Sequence, residues 1–276
     1  MIKPITFCLA VVALLSISCE RTIVPVDNLP FDSTITAVEQ SNYVTRLYIT
    51  LLNRKPSATE AETVLAQLQI DPYDKAIRSA IVANLQSESE ATFVLFQSLC
   101  NRYLDGVDTA EIRQDRDYYQ YKSNNANNQS SQSYYQNLAD RMGNLHMVPY
   151  WLGWGTVSYD DVQTFIVDNS IYDAINMGTE NFCVSLFQNY YMRYPTMVEL
   201  DEAKAMMNSK AGLLFGLNGD SKSDLLTIFF AQNEYRQGLI QGLFQRYLLR
   251  NPSLMEANSH MQQLVNGMTF LQLQNQ

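Results

Sequence analysis

YVTRLYITLLNRKPSATE, residues 43–60, decides how this chain is read, because it returns twice. Residues 182–199 read FCVSLFQNYYMRYPTMVE, and residues 239–256 read LIQGLFQRYLLRNPSLME. Aligned without a gap, each copy places an aromatic (Tyr48, Phe187, Phe244), then Arg (Arg54, Arg193, Arg250), Pro (Pro56, Pro195, Pro252) and Glu (Glu60, Glu199, Glu256) at fixed spacing. Six positions before the Arg are apolar or aromatic in every copy. In the first they are Tyr43, Val44, Leu47, Tyr48, Leu51 and Leu52. Spacings of one, three and four put all six on one stripe of a helix. The residue before Pro is pushed out of the α region, so this helix is expected to stop at the Arg. Ser57-x-x-Glu60, Thr196-x-x-Glu199 and Ser253-x-x-Glu256 then read as capping boxes that start a second helix at once.

A weaker copy keeps the aromatic, Arg and acid as Phe96, Arg102 and Asp108, with Leu104 in place of Pro and Gly106 in the turn. A third helix per unit is expected from Asp74 to Leu85, after Ser158, and after Ser221. The expected fold is all-α: tandem units of two or three helices packed into one helical-repeat bundle, interrupted by an irregular aromatic-rich insertion. Residues 41–117 would hold units 1 and 2, and residues 158–276 units 3 and 4. Between them lies 118–157. Its first half, YYQYKSNNANNQSSQSYYQN at 118–137, has few aliphatics and reads as a polar loop, and NLHMVPYWLGWG at 144–155 carries both tryptophans.

The first residues read as an address. Lys3 precedes an apolar run from Ile5 to Ile17 that is short for a membrane span, and Ser16-Ile17-Ser18-Cys19 follows. Small residues at Ser16 and Ser18 suit ordinary signal-peptide cleavage. A small residue directly before Cys resembles a bacterial lipobox, with Leu15 one place early, and accounts for the Cys. Residues 1–18 are therefore expected to be a signal peptide and 19–40 a tether lipidated at Cys19. That places the protein in the bacterial cell envelope, on the outer membrane, and its membrane contact would be the lipid. The chain carries a formal charge of −9. No Lys/Arg run offsets it, which argues against nucleic acid as a partner.

Arg54, Arg193 and Arg250 could form a ligand comb if they converged; the reading preferred here is that each serves a helix end or the nearby Glu. Tyr150, Trp151, Trp154 and Tyr159 could form an aromatic platform for a glycan or a protein partner, or the local core of the insertion. Cys100 and Cys183 could pair in an oxidising compartment, but both fall on stripe positions where a thiol packs as a small apolar side chain. His146 stands near the tryptophans without a Cys or acid in register, and His260 takes a position held by Val64 and Ala203 in other copies. No motif for haem, phosphate, a nucleophile elbow or a zinc protease occurs. No catalytic residue, cofactor or metal is therefore expected. An envelope hydrolase stays a remote alternative, resting on His146 beside Asp160 or Asp161.

The run FFAQNEYRQGLIQGLFQRYLLRNPSLMEA, 229–257, resembles a family of bacterial exported tandem helical-repeat domains of unknown function, distantly similar to phycobilisome linker domains. The shared pattern is a polar turn with Glu and an aromatic (Asn233-Glu234-Tyr235), an amphipathic helix, then Arg-x-Pro. Ser87 to Glu90 and Thr179 to Phe182 echo the turn. A similar Arg-x-Pro-Thr signature occurs in domains accompanying planctomycete-type cytochromes. The chain departs from the repeat family where that family often has Gly before Arg: here Asn53, Met192 and Leu249 stand there. The resemblance covers the repeat units but not the tryptophan segment. It implies a non-catalytic scaffold or protein-interaction module with an envelope partner.

Overall fold

Pro56, Pro195 and Pro252 set the grain of the fold, each dividing two helices that a capped turn joins. The computed structural model describes residues 34–276, and the helical body is Ala37–Gln276. The expected leader, Cys19 and residues 19–33 of the expected tether lie outside the described residues. Helix α1 (Ala37–Leu52) starts inside the expected tether, four residues before Ser41. It is followed by α2 (Ala58–Leu68), α3 (Lys75–Gln86), α4 (Ser89–Tyr103), α5 (Thr109–Asn124), α6 (Gln129–Trp154), α7 (Tyr159–Val167), α8 (Ser170–Ile175), α9 (Thr179–Leu186) and α10 (Met197–Met207). A short antiparallel hairpin, β1 (Gly212–Leu214) and β2 (Leu217–Gly219), leads to α11 (Lys222–Phe230), α12 (Asn233–Leu243), α13 (Leu254–Val265) and α14 (Phe270–Gln274). Apart from that hairpin the described chain is all-α.

The segment expected to be loop and irregular insertion is an antiparallel helical pair, α5 and α6. Aliphatics are scarce there because amides hold it instead. Gln120 and Gln136 donate to each other, Ser123 Oγ donates to the Gln132 carbonyl, and Lys122 lies over the Tyr118 and Tyr135 rings. Asp108 with Glu111, and Asn128, cap the two helices. The tryptophan segment is the last part of the 26-residue α6, with Pro149 inside it; Gly155, at φ 66°, ends the helix. A proline there removes one backbone bond. Buried packing of Leu145, Val148 and Pro149 compensates.

Three apolar cores result. The largest gathers α4 to α12 around Phe96, Met142, Tyr172, Phe187, Phe229 and Tyr235, all buried. It contains the free thiols Cys100 and Cys183, whose pKa values burial pushes up to about 12. A second core gathers α1 to α3 with Ala91 of α4. A third, small one joins α12, its continuation, α13 and α14 through Ile240, Phe244 and Leu273. Among the described residues no helix is long and apolar enough to cross a membrane.

A candidate binding cleft

The junction motif is built the same way three times. Ser57, Thr196 and Ser253 each accept from the backbone amide of the Glu three residues on, and that Glu accepts in return from the cap amide. The same carboxylates hold the arginines in forked pairs: Arg54 on Glu60 at 2.8 and 2.9 Å, Arg193 on Glu199 at 2.7 and 2.8 Å, Arg250 on Glu256 at 2.6 and 2.8 Å. The arginines hold Glu60 and Glu199 down to about pKa 2, and Glu256 also well below the usual carboxylate range. Each guanidinium is thus occupied within its own junction.

Two of them reach further. Arg54 Nε donates to Glu90 at 2.8 Å, and Arg193 bonds Glu234 at 2.5 and 2.9 Å. Both acids are second residues of their helices, α4 and α12. Sequence reasoning noted the acidic turns but not this link. In the weaker copy Asp108 is the cap and Glu111 its partner, so the box lies three residues on from the expected assignment. Arg102 lies over the Tyr103 ring and joins no ion pair among the described residues.

The residue before each Arg adopts a left-handed backbone: Asn53 at φ 53°, Met192 at 57° and Leu249 at 54°. The helices ahead of Met192 and Leu249 first widen into π turns, Phe187–Tyr191 and Phe244–Leu248. Such turns leave carbonyls out of the regular ladder.

The stripe shows where the structure is open. In the third copy all six stripe residues, Phe182 to Tyr191, are buried. In the first and last copies Tyr43, Leu47, Leu243, Tyr247 and Leu248 are not, and they face one large cleft. Its volume is about 1940 Å³. One wall comes from α1 and α3, another from α12 to α14, and α4 contributes Phe93, Gln97 and Asn101. The cleft therefore lies where the second and third cores approach each other. Ser79 Oγ donates to the Asn275 carbonyl at 3.0 Å, and Gln86 Nε2 bonds both the Leu271 carbonyl and Gln274. Gln274 in turn bonds the Tyr247 hydroxyl. These contacts tie α14 to α3.

The four aromatic candidates separate. Tyr150 is 37% and Trp154 65% exposed, four residues apart on α6, and Phe93 of α4 meets Tyr150 edge-on at 5.2 Å. Trp151 turns inward to Phe165, and Tyr159 stacks flat on Phe270 at 3.6 Å. Those two are half-buried against these rings. Asp160 accepts from the Tyr235 hydroxyl, and Asp161 closes the capping box of Ser158. His146 has Tyr150 as its ring neighbour, and its buried Nδ1 meets no hydrogen-bond partner among the described residues. The hydrolase trio is not brought together by any of these contacts. His260 sits half-buried at the cleft wall beside Phe244, where a core position was expected. Among the described residues no three His, Cys, Asp or Glu side chains are grouped to hold a metal ion.

No family model, no curated protein and no solved structure matches the chain.

Proposed function

We propose that the chain is a non-catalytic helical module of the bacterial cell envelope, tethered by lipid at Cys19, whose cleft holds a segment of a partner protein. The observation that carries this reading is the cleft. Its volume exceeds the 300–1000 Å³ of ordinary small-molecule sites, so an extended ligand suits it better. Aliphatic and aromatic side chains line it beside many amides, as peptide-binding grooves require. The tandem junctions are read as repeat units. They supply a rigid frame, since each Arg holds the helix on either side of its turn and two also hold the next unit. The leader and the resemblance of 229–257 to exported helical repeats support the envelope address on sequence alone.

Photo-crosslinking in the native host tests the binding reading. A benzophenone side chain at Thr50 or Asn101, both in the cleft, is expected to give a discrete adduct that the same probe at Glu62 on α2 does not. Identical adducts from all three positions would remove the cleft from the account. Cys19→Ala is expected to move the protein to the soluble fraction, and continued membrane residence would end the lipid-anchor proposal.

A second reading has its own observation: Phe93, Tyr150 and Trp154 form an exposed ladder on which a sugar ring could stack. Trp154→Ala with Tyr150→Ala would then abolish retention on a glycan array while leaving cleft adducts unchanged. Unaltered array profiles would discard it.

A further inference from the structure

We infer that the occupant of the cleft is an amphipathic helix bearing acidic residues, contributed by another protein. This rests on the cleft reading and adds the ligand's shape and charge. Shape follows from the repeat. In the third unit the fifth stripe residue, Tyr190, is covered by α12: Gly238 lies against its carbonyl and Tyr235 against its ring. Of the equivalent residues, Leu51 is itself buried, with α4 packed on α1, whereas Tyr247 is half-buried and lines the cleft. At Tyr247 the surface that a helix covers in the other two places faces the cleft instead.

Charge follows from the cations. Arg46, Lys75, Arg78 and Arg246 line the cleft, and none takes part in an ion pair among the described residues. Two carboxylates also line it, Glu39 and Glu256, and neither is free: Glu256 is held by Arg250. A chain with net charge −9 thus gathers four basic residues, none in an ion pair among the described residues, along one cleft. Low-dielectric walls focus such a field on an anionic ligand. Arg78 and Arg246 are also pre-positioned, by the Tyr73 carbonyl at 3.1 Å and Ser98 Oγ at 3.1 Å. Apolar floor and basic margin together match a helix with one apolar and one acidic face.

The test uses the full chain and three fluorescein-labelled peptides: an 18-residue Leu/Glu amphipathic helix, its Leu/Lys counterpart, and the Leu/Glu peptide broken by two central prolines. Fluorescence anisotropy is expected to show saturable binding of the first only, weakening as salt rises. Arg46→Glu with Arg246→Glu should weaken it about tenfold or more, as close interfacial charge pairs do. Circular dichroism confirms that each variant is folded. Equal binding of the Leu/Lys peptide, or no effect of charge reversal, would overturn the acidic assignment. If Thr50→Trp still abolished binding in that case, the cleft reading would survive it. Equal binding of the proline-broken peptide overturns the helical shape. Saturable binding that Thr50→Trp and Ala76→Trp both leave intact overturns the cleft itself. Failure of the Leu/Glu peptide to bind at millimolar concentration overturns the inference.

Discussion

Gly238 of α12 lies against the carbonyl of Tyr190 so closely that a Cβ on it would stand 1.8 Å from the oxygen. The contact is possible because Tyr190 sits in a π turn and because residue 238 has no side chain. Glu234, one helical turn before Gly238 on the same face, grips Arg193. The two residues fix α12 at adjacent points on the preceding junction. Gly238→Ala is therefore expected to destabilise the protein by about 3 kcal/mol or more, since neither backbone can yield without parting the helices. Gly242, whose Cβ would meet only the Arg102 side chain at 3.8 Å, is the control. Gly242→Ala should be neutral or stabilise by up to ~1 kcal/mol through helix propensity. Urea denaturation of both variants reads the difference; equal stabilities would mean that the close approach is not real.

Met192 and Leu249 adopt a conformation that L residues enter at a cost of roughly 1–2 kcal/mol. Leu249 is also 82% exposed, so little packing offsets that cost. Leu249→Gly should stabilise the protein by about 0.5–1 kcal/mol, read by urea denaturation, after the greater unfolded-state entropy of Gly is subtracted. Asn53→Gly should gain less, because Asn tolerates the left-handed region. A loss of stability in Leu249→Gly would show that its side chain packs after all.

The junctions were legible because their chemistry is local: Pro56, Ser57 and Glu60 act within one turn, and spacing alone exposes them. The left-handed residues were not, since Met192 and Leu249 are ordinary helix formers by composition. Only the resemblance to a family with Gly at that place hinted at the backbone there. The α5–α6 pair was hidden for another reason. Gln120, Ser123 and Gln136 satisfy one another across a hairpin, and such amide pairing leaves no hydrophobic period to read. The cleft is a tertiary product. Its cations come from positions 46, 75, 78 and 246, and no window of sequence contains them all. The stripe pattern marked Tyr43 and Tyr247 as core because it shows which side chains seek cover, not whether cover arrives.

Arg193 and Arg250 occupy equivalent positions in the sequence but unequal ones in the structure. Arg193 joins two carboxylates and its partner Glu199 is mostly buried, whereas Arg250 joins one, at a more exposed place. Arg193→Met should cost on the order of 1–2 kcal/mol, the usual worth of a partly buried pair whose loss strands an acid. Arg250→Met should change thermal stability far less. A Glu234→Gln variant should recover part of the Arg193→Met loss when combined with it, because the stranded charge is gone. Strict additivity of the two changes would deny that these residues act on each other.

The buried thiols give a separate check on the main core. Burial raises the Cys100 and Cys183 pKa values to about 12, so neither is ionised near neutrality and neither is reachable. Iodoacetamide at pH 8, followed by peptide mapping, should leave both unmodified in the native protein and alkylate both in urea without reductant. Absence of alkylation in urea, reversed by reductant, would reveal a disulfide in place of two free thiols.

Acid should unfold the protein through its junctions. Glu60, Glu199 and Glu256 all titrate lower in the folded chain than the ~4.3 of a free glutamate, because an Arg and the cap amide bond the charged form. Between pH ~4.5 and ~2 the unfolded chain therefore binds protons that the folded one refuses, and stability falls as pH falls. Above pH 4.5 the contribution is complete and flat. Asp115 and Asp160 act with the opposite sign: burial raises their pKa values, so their contribution is present at low pH and lost as pH rises through them. Four depressed acids, Asp224 being the fourth, against two raised ones should leave a net decline on the acid side. Urea midpoints measured from pH 7 to pH 2.5 should show it. In Glu199→Gln the neutral-pH stability should drop and the acid limb should become shallower, since the unfolded chain then has one fewer carboxylate to protonate there. A variant with lower stability but an unchanged acid slope would mean that Glu199 contributes by packing alone.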